Sequence, residues 1–204
     1  MNQKQNSLRT RCVHCDFPLR VCICKHICQI ESNIKVFILQ HPSEANVAKN
    51  TAKLVNLTLT SAQVIVGETP ADFAAVIASI QPEYTYLIYP GEAAISVETF
   101  SPSTMPAPKC LIFLDGTWKK TYRLMQSNPW LSSLKQISFS KAPKTRYQIR
   151  KAHREDSLST IEAVAYSLQQ LEKISPLPFM KILDAMIETQ MAFMPEEVKK
   201  RYSS

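Results

Sequence analysis

The chain has only three glycines among its 204 residues. It lacks GxGxxG and GxxxxGK[ST], the glycine-rich loops that cradle dinucleotide or nucleotide phosphates, so a Rossmann loop and a P-loop are excluded. No apolar run reaches the about 20 residues of a membrane-spanning helix, and the N-terminus has no apolar core typical of a secretory signal. These absences predict a cytoplasmic protein that does not enter a membrane.

Acidic residues are missing from one long segment. Ten Lys or Arg occur between Lys119 and Arg154 without any Asp or Glu; since the net charge is +7, the remainder carries −3. Aromatic residues in or next to this segment include Trp118, Tyr122, Trp130 and Tyr147. Local positive charge with interleaved aromatics favours a nucleic-acid partner. The alternative is a solvated basic face.

Apolar runs of continuous rather than alternating hydrophobicity predict the fold. With 45% hydrophobic residues the chain can bury a sizeable core. We predict strands at 35–40, 62–67, 84–91, 110–116 and 136–140, and helices at 43–57 (with Ser43 as its N-cap), 70–80, 117–127, 157–173 and 178–194. This order predicts an α/β domain whose mostly parallel sheet is covered by helices on both faces.

The three glycines each directly follow a predicted strand, at Gly67, Gly91 and Gly116. Glycine suits backbone that turns with positive φ or approaches a ligand closely. In open parallel sheets, ligands bind beyond the carboxyl ends of the strands. The glycines therefore indicate that edge as the place of a site, although each is also compatible with an ordinary turn.

Five of the six cysteines lie in residues 12–28, and four have the spacing Cys12-x2-Cys15-x6-Cys22-x-Cys24. Two close pairs of thiolates can close a tetrahedral zinc site, which with four thiolate ligands is structural rather than catalytic. Reduced free thiols are the alternative, but this short polar segment offers little apolar volume in which to bury four of them.

Polar side chains follow or precede several of these elements. Gln40 and His41 end the first strand, and Asp115 ends an apolar strand, where a carboxylate is costly to bury unless it is paired or used. Capping of the next helix by Asp115 or Thr117 is an equal alternative to catalysis. Ser159-x-x-Glu162 is the pattern of a helix capping box.

Several blocks of the sequence together resemble the DTW-domain proteins, whose Asp-x-Thr-Trp signature stands here as Asp115, Thr117 and Trp118. The resemblance spans roughly residues 12–170 and is carried, in order, by the cysteine cluster, LQHPSEANVAKNTAKL (39–54), YPGE (89–92), LDGTWKK (114–120), PWL (129–131), RYQIR (146–150) and LSTIEAVA (158–165).

The resemblance implies an enzyme that transfers the 3-amino-3-carboxypropyl group of S-adenosyl-L-methionine to N3 of a tRNA uridine, in the variable loop for bacterial members, and releases methylthioadenosine. It also implies a SPOUT-like fold with a knotted cofactor region. We expect a tail and zinc segment over 1–30, a catalytic domain over 31–204 and no obligate protein partner. The rivals are an RNA methyltransferase and a non-catalytic zinc-containing RNA-binding protein.

The same resemblance implies site residues. Asp115 takes the proton of uridine N3 or holds the cofactor's ammonium group. Thr117 orients the reactants, and Trp118 stacks on uracil or adenine unless it packs under the sheet. The implied cofactor-binding residues are Gln40, His41, Tyr89, Pro90, Gly91, Leu114, Gly116, Ser159, Thr160 and Glu162. The candidate phosphate contacts, which set affinity and register, are Lys119, Lys120, Arg123, Lys144, Arg146, Arg150 and Arg154.

Overall fold

The computed structural model describes residues 10–147 and 158–199. The strands in these ranges are β1 (Lys35–Gln40), β2 (Ala62–Val66), β3 (Thr85–Ile88), β4 (Ile95–Ser96), β5 (Cys110–Asp115) and β6 (Lys135–Ser138). The α-helices there are α1 (Ala52–Thr58), α2 (Ala74–Ser79), α3 (Trp118–Ser127), α4 (Pro129–Ser132), α5 (Thr160–Glu172), α6 (Leu177–Ala192) and α7 (Glu196–Lys199). Five single turns of 3-10 helix join them, at Leu19–Val21, Cys24–His26, Pro42–Glu44, Pro82–Tyr84 and Val97–Thr99.

The six strands form one sheet in the order β2-β1-β5-β3-β6-β4, and every neighbouring pair is parallel. The predicted α/β class with a parallel sheet is confirmed. Only the two-residue strand β4 had no counterpart in the sequence pattern. The register places Gln40 opposite Asp115, at the carboxyl ends of the central strands β1 and β5.

Both faces of the sheet are covered, which explains the continuous apolar runs. In β1, Val36 and Ile38 point into one hydrophobic cluster and Phe37 and Leu39 into another. Helices α1, α5 and α6 supply the first cluster, and α2, α3 and α4 supply the second. Because successive side chains of a strand point to opposite faces, a strand buried on both must be apolar at every position.

The predicted helix over 43–57 is wrong in its first half. A single 3-10 turn covers Pro42–Glu44, and the α-helix begins at Ala52. The His41 side chain, rather than the predicted Ser43, caps that turn. Residues 45–51 instead form turns in which Asn50 Oδ1 accepts from the backbone N–H of Ala52. Tertiary hydrogen bonds outweigh local helix propensity here.

The cysteine segment packs against the rest of the chain. Its two 3-10 turns contact α6, and Cys15, Phe17 and Ile23 belong to the same hydrophobic cluster as the sheet residues Val36 and Leu111. The division at residue 30 thus stays a prediction about folding units. Among the helices in the described ranges, none combines the length and apolar character that crossing a membrane requires.

Candidate active site and cysteine cluster

The four predicted metal ligands converge. The Sγ atoms of Cys12, Cys15, Cys22 and Cys24 all lie within 4.8 Å of one another. Cys12 and Cys24 are 3.5 Å apart, and Cys15 and Cys22 are 3.7 Å apart. Tetrahedral zinc with Zn–S bonds of about 2.3 Å needs S–S separations of about 3.8 Å. The thiol geometry therefore fits a zinc ion, and Cys28 is exposed and outside the group.

The thiols also differ in acidity. Backbone N–H groups of Cys15 and His14 that point at Cys12 Sγ lower the pKa of this thiol to about 6. The pKa of Cys24 is raised to about 12, because its thiol shares a hydrogen bond with Cys12 and lies beside other thiols. Since zinc binds thiolates, metal binding to this group would release protons.

Asp115 is a buried carboxylate at the carboxyl edge of the sheet with three side-chain hydrogen bonds, and only 5% of it is exposed. Oδ2 accepts from Gln40 Nε2 at 2.9 Å and from Asn50 Nδ2 at 2.6 Å. Oδ1 accepts from Thr160 Oγ1 at 2.5 Å. A carboxylate offers about four acceptor positions, so three of them are occupied and the expected cap role is not what holds this side chain.

Asn50 is a site residue that sequence reasoning missed. It uses its Nδ2 for Asp115 and its Oδ1 for the start of α1. The available signal was an asparagine two residues before a helix, but the predicted helix over 43–57 placed it in a helix interior. Asn50 therefore ties the turns after β1 to the end of β5.

A cavity of about 430 Å³ opens beside Asp115, beyond the carboxyl ends of β3, β5 and β6. Its walls include six of the residues proposed for the site: Tyr89, Pro90, Leu114, Gly116, Trp118 and Thr160. The other lining residues come mainly from 137–142 and from the start of α5. The structure thus brings the YPGE, DTW and LSTIEA blocks to one edge of the sheet.

Other predicted site residues stand behind or beside this cavity. Gln40, His41, Gly91, Asp115, Thr117, Ser159 and Glu162 are not among the residues that line it. His41 turns to Ser43, whose backbone N–H donates to His41 Nδ1 at 3.2 Å. At Gly91 an added Cβ would meet only the end of the flexible Gln136 side chain, which can move aside. No glycine has a positive φ among the described residues.

The rings of Tyr89 and Trp118 line the cavity, and Tyr122 lies one helical turn from Trp118. The Trp118 side chain is 51% exposed, so it does not pack under the sheet. The Tyr89 ring meets it edge-on, with centroids 6.4 Å apart. Burial, and the nearby hydroxyl of Tyr122, raise the pKa of Tyr89. Tyr122 lies one turn after Trp118 on α3 and is 60% exposed.

Glu98 fixes one end of the irregular segment 139–147, part of which forms a cavity wall. Oε2 accepts from Ser140 N and Ser140 Oγ at 3.1 and 3.0 Å, and Oε1 from Lys141 N at 2.8 Å. Tyr166 and Ser96 also donate to it. Burial by itself would raise the pKa of Glu98, but the hydrogen bonds from Ser96 and from the backbone of Lys141 and Ser140 together lower it to about 2.

Glu162 fixes the other end of the segment. It accepts from Thr145 Oγ1 at 2.8 Å and from Arg146 N at 2.6 Å. It also accepts from the backbone N–H and the hydroxyl of Ser159, so the predicted capping box forms. Two carboxylates therefore hold the cavity wall from α5 and from the turn after β4, and sequence reasoning identified only Glu162.

The basic residues divide into two groups. Lys120 pairs with Glu44 at 2.7 Å, Arg123 pairs with Glu68, and Arg146 pairs with Asp184 at 3.1 Å. Lys119 and Lys144 are exposed, and they are not among the ion pairs found in the described part of the chain. Arg150 and Arg154 lie outside the described residues.

Known proteins resemble this chain over most of its length. Proteins called tRNA-uridine aminocarboxypropyltransferase 2 are 28% identical over 176 residues in Macaca fascicularis, 27% over 174 residues in Mus musculus and 29% over 174 residues in Drosophila melanogaster. These alignments cover 81%, 81% and 80% of the chain. The chain spans 57% of the length of the first two relatives and 67% of the third.

No solved structure matches the chain. The DTW domain matches residues 9–191, a range that includes the cysteine cluster, the Asp115 network and the cavity. This match spans most of the 204 residues. The resemblance drawn from the ordered sequence blocks is therefore confirmed, and the chain belongs to the DTW-domain family.

Proposed function

We propose that this protein transfers the 3-amino-3-carboxypropyl group of S-adenosyl-L-methionine to N3 of a uridine in tRNA, in the variable loop. Family membership and the activity for which the relatives are named support this reaction. The observation that carries it for this chain is the cavity between the DTW, YPGE and LSTIEA blocks, with the buried Asp115 beside it. The proposal includes the SPOUT-like, knotted class of the fold.

The cavity suits a ligand with a nucleoside and an amino-acid part. A volume of about 430 Å³ lies within the range of small-molecule and cofactor sites. Apolar walls from Ile88, Leu114 and Phe139 can pack on a nucleoside, and Thr160 and Ser140 offer polar groups. Bound S-adenosyl-L-methionine would supply a carbon activated by its sulfonium, with methylthioadenosine as the leaving group.

Asp115 acts in this proposal as a fixed negative charge. Gln40, Asn50 and Thr160 fill three acceptor positions and prevent the carboxylate from turning. The position that remains suits the ammonium of an amino-acid group, since a charge-assisted hydrogen bond is stronger than a neutral one. The general-base role is the alternative, and both roles require contact with a ligand or an intervening water at a carboxylate that is almost fully buried.

Trp118 has the position and exposure for a stacking residue. Its indole lines the cavity and also faces solvent, with Tyr89 against its edge. Stacking on the uracil holds the pyrimidine in place without selecting it by hydrogen bonds. Thr117, at the N-cap of α3, and Gly116 set the direction in which this indole leaves the sheet.

The cysteine cluster binds a structural zinc ion in the same proposal. Four thiolates leave no open position for a substrate. The cluster is anchored on α6 and in the apolar cluster that covers one face of the sheet, so the metal stabilises the catalytic fold from outside the cavity.

The test is an assay with tRNA from a strain that lacks the protein and with S-adenosyl-L-methionine labelled on either the carboxyl or the methyl carbon. Carboxyl label in a modified uridine, with methylthioadenosine released, is the expected result. Methyl label in the RNA would make the protein a methyltransferase. Saturable tRNA binding without cofactor binding or label transfer would make it a non-catalytic RNA-binding protein.

A further inference from the structure

One exposed aromatic ring near the cavity is not used by the proposed reaction. Tyr122, one helical turn after Trp118, is 60% exposed, whereas Thr121 and Leu124 of the same helix are buried. Among the aromatic side chains of residues 10–147 and 158–199, only Trp118, Tyr122 and Phe193 are more than half exposed. The Phe193 ring is covered by the Arg20 guanidinium, 4.9 Å from the ring centroid. Tyr122 thus offers an exposed ring next to a site for which RNA is the proposed substrate.

We infer that Tyr122 is a second stacking position, which binds the base of the nucleotide adjacent to the target uridine. The inference rests on the proposed function and extends it to the shape of the substrate. It requires a target uridine whose base has left the stack of its neighbour, as in a loop or an extruded nucleotide.

The spacing of the two residues supports this arrangement. Residues four apart on a helix have Cβ atoms about 5–6 Å apart. Bases stacked in a nucleic-acid strand are separated by about 3.4 Å. Two bases that lie on the Trp118 and Tyr122 rings are therefore separated from each other. A uracil that has left both its stack and its base pair presents the edge that carries N3, which enzymes acting on a base need to expose.

The surrounding charge suits an RNA strand. The exposed Lys119 lies between the two aromatic residues on α3. Aromatic rings beside a positive charge bind single-stranded nucleic acid by base stacking and phosphate attraction, with little dependence on sequence. Lys120 and Arg123 already pair with Glu44 and Glu68. Among the basic residues of α3, Lys119 is therefore the one whose charge is left for a phosphate.

The experiment is a cycle of protein and RNA changes. Wild type, Tyr122→Ala and Tyr122→Phe are each measured with an intact tRNA and with tRNAs in which the nucleotide 5′ or 3′ of the target uridine is abasic. Binding affinity for the RNA and kcat and KM for the transfer are recorded, together with the Kd for S-adenosyl-L-methionine and the thermal unfolding of each variant.

We expect Tyr122→Ala to weaken the affinity for intact tRNA by about five- to 150-fold, the range for loss of one base–aromatic stack. Tyr122→Phe retains the ring and should stay within about twofold of wild type. One abasic substrate should reduce wild-type affinity by a similar factor and should abolish the difference between wild type and Tyr122→Ala. The cofactor Kd should not change.

If Tyr122→Ala and the abasic substitution weakened RNA binding additively, the inference would be overturned, because Tyr122 would then not contact the base that was removed. Unchanged affinity in Tyr122→Ala would overturn it directly. The thermal unfolding and cofactor Kd of each variant show whether a lost affinity comes from misfolding. A wild type that binds tRNA but transfers nothing would contradict the proposed function, and the binding cycle would still decide the role of Tyr122.

Discussion

The four thiols of the cysteine cluster lie within residues 12–24, whereas the four side chains of the Asp115 network come from positions 40, 50, 115 and 160. The cluster has identical ligands that close around one point. The network has one carboxylate and three different donors, and it borders an open cavity. A closed local site suits stability, and an open site assembled by the fold suits a ligand that must enter and leave.

The largest effect, a loss of stability, should follow from disrupting the cysteine cluster. Cys15→Ser removes a buried thiol from the cluster. Binding of a structural zinc by such sites is worth about 10 kcal/mol or more of folding free energy, so we expect loss of the metal and a strongly lowered unfolding temperature or insoluble protein. Metal analysis and thermal unfolding check this.

The exposed Cys28 gives the matched control, since Cys28→Ser should keep one zinc per chain and wild-type stability. One tightly bound zinc in Cys15→Ser, or purified wild type that is metal-free and fully folded, would contradict the zinc proposal.

The next largest effect, a loss of turnover, should follow from a substitution at Asp115. Asp115→Asn removes the negative charge and presents an amide to three donors. We expect turnover to fall by about 100-fold or more, with zinc content and tRNA affinity close to wild type. Asp72→Asn is the control, because Asp72 accepts backbone N–H groups from Glu68 and Thr69 and does not line the cavity. Near-normal turnover in Asp115→Asn would remove Asp115 from the mechanism.

A smaller effect should follow from loosening the cavity wall. Glu98→Gln replaces an oxygen that accepts backbone N–H groups by an NH₂ group, so we expect the Kd for S-adenosyl-L-methionine to rise by about tenfold. Glu172→Gln is the control, because Glu172 accepts from Asn33 and Ser32 before β1, far from the cavity. Equal weakening by both variants would make the effect a general loss of stability.

The lowered pKa of Glu98 predicts that the stability of the protein depends on pH. Its folded-state pKa of about 2 is below the ordinary 4.5, so Glu98 stabilises the folded protein above about pH 4.5. That contribution is lost as the pH falls towards 2. The difference in unfolding free energy between wild type and Glu98→Gln should shrink over this window. A difference that stays constant from pH 5 to pH 2.5 would contradict the assignment.

The smallest effect should be on the RNA surface. Lys119→Ala with Lys144→Ala should lower the slope of log affinity against log salt by about two, one per phosphate contact. Lys120→Ala with Arg123→Ala should lower it less, because Glu44 and Glu68 already neutralise these side chains. Titration of tRNA at several salt concentrations measures both. A larger change in the salt slope for Lys120→Ala with Arg123→Ala would indicate that the RNA binds at these two residues.

The local predictions held where local physics decides the outcome. The strand predicted over 110–116 forms over 110–115, and the capping box of Ser159 and Glu162 is as predicted, because an apolar run and a cap depend on neighbours in sequence. The four cysteines converge as their spacing indicated. The helix over 43–57 was wrong because Asn50 is held by Asp115, which is 65 residues away.

The sequence by itself determined the parallel α/β class and the grouping of the four thiols, and it indicated the edge of the sheet where the candidate site lies, since both follow from hydrophobic continuity and residue spacing along the chain. Only the tertiary structure decided that Asn50 joins Asp115, that Glu98 holds the cavity wall, and that Glu44 and Glu68 neutralise two of the basic residues. Hydrogen bonds and ion pairs act over a few ångströms in space. Hydrophobic periodicity does not predict which side chains, distant in sequence, the packed sheet brings within that range.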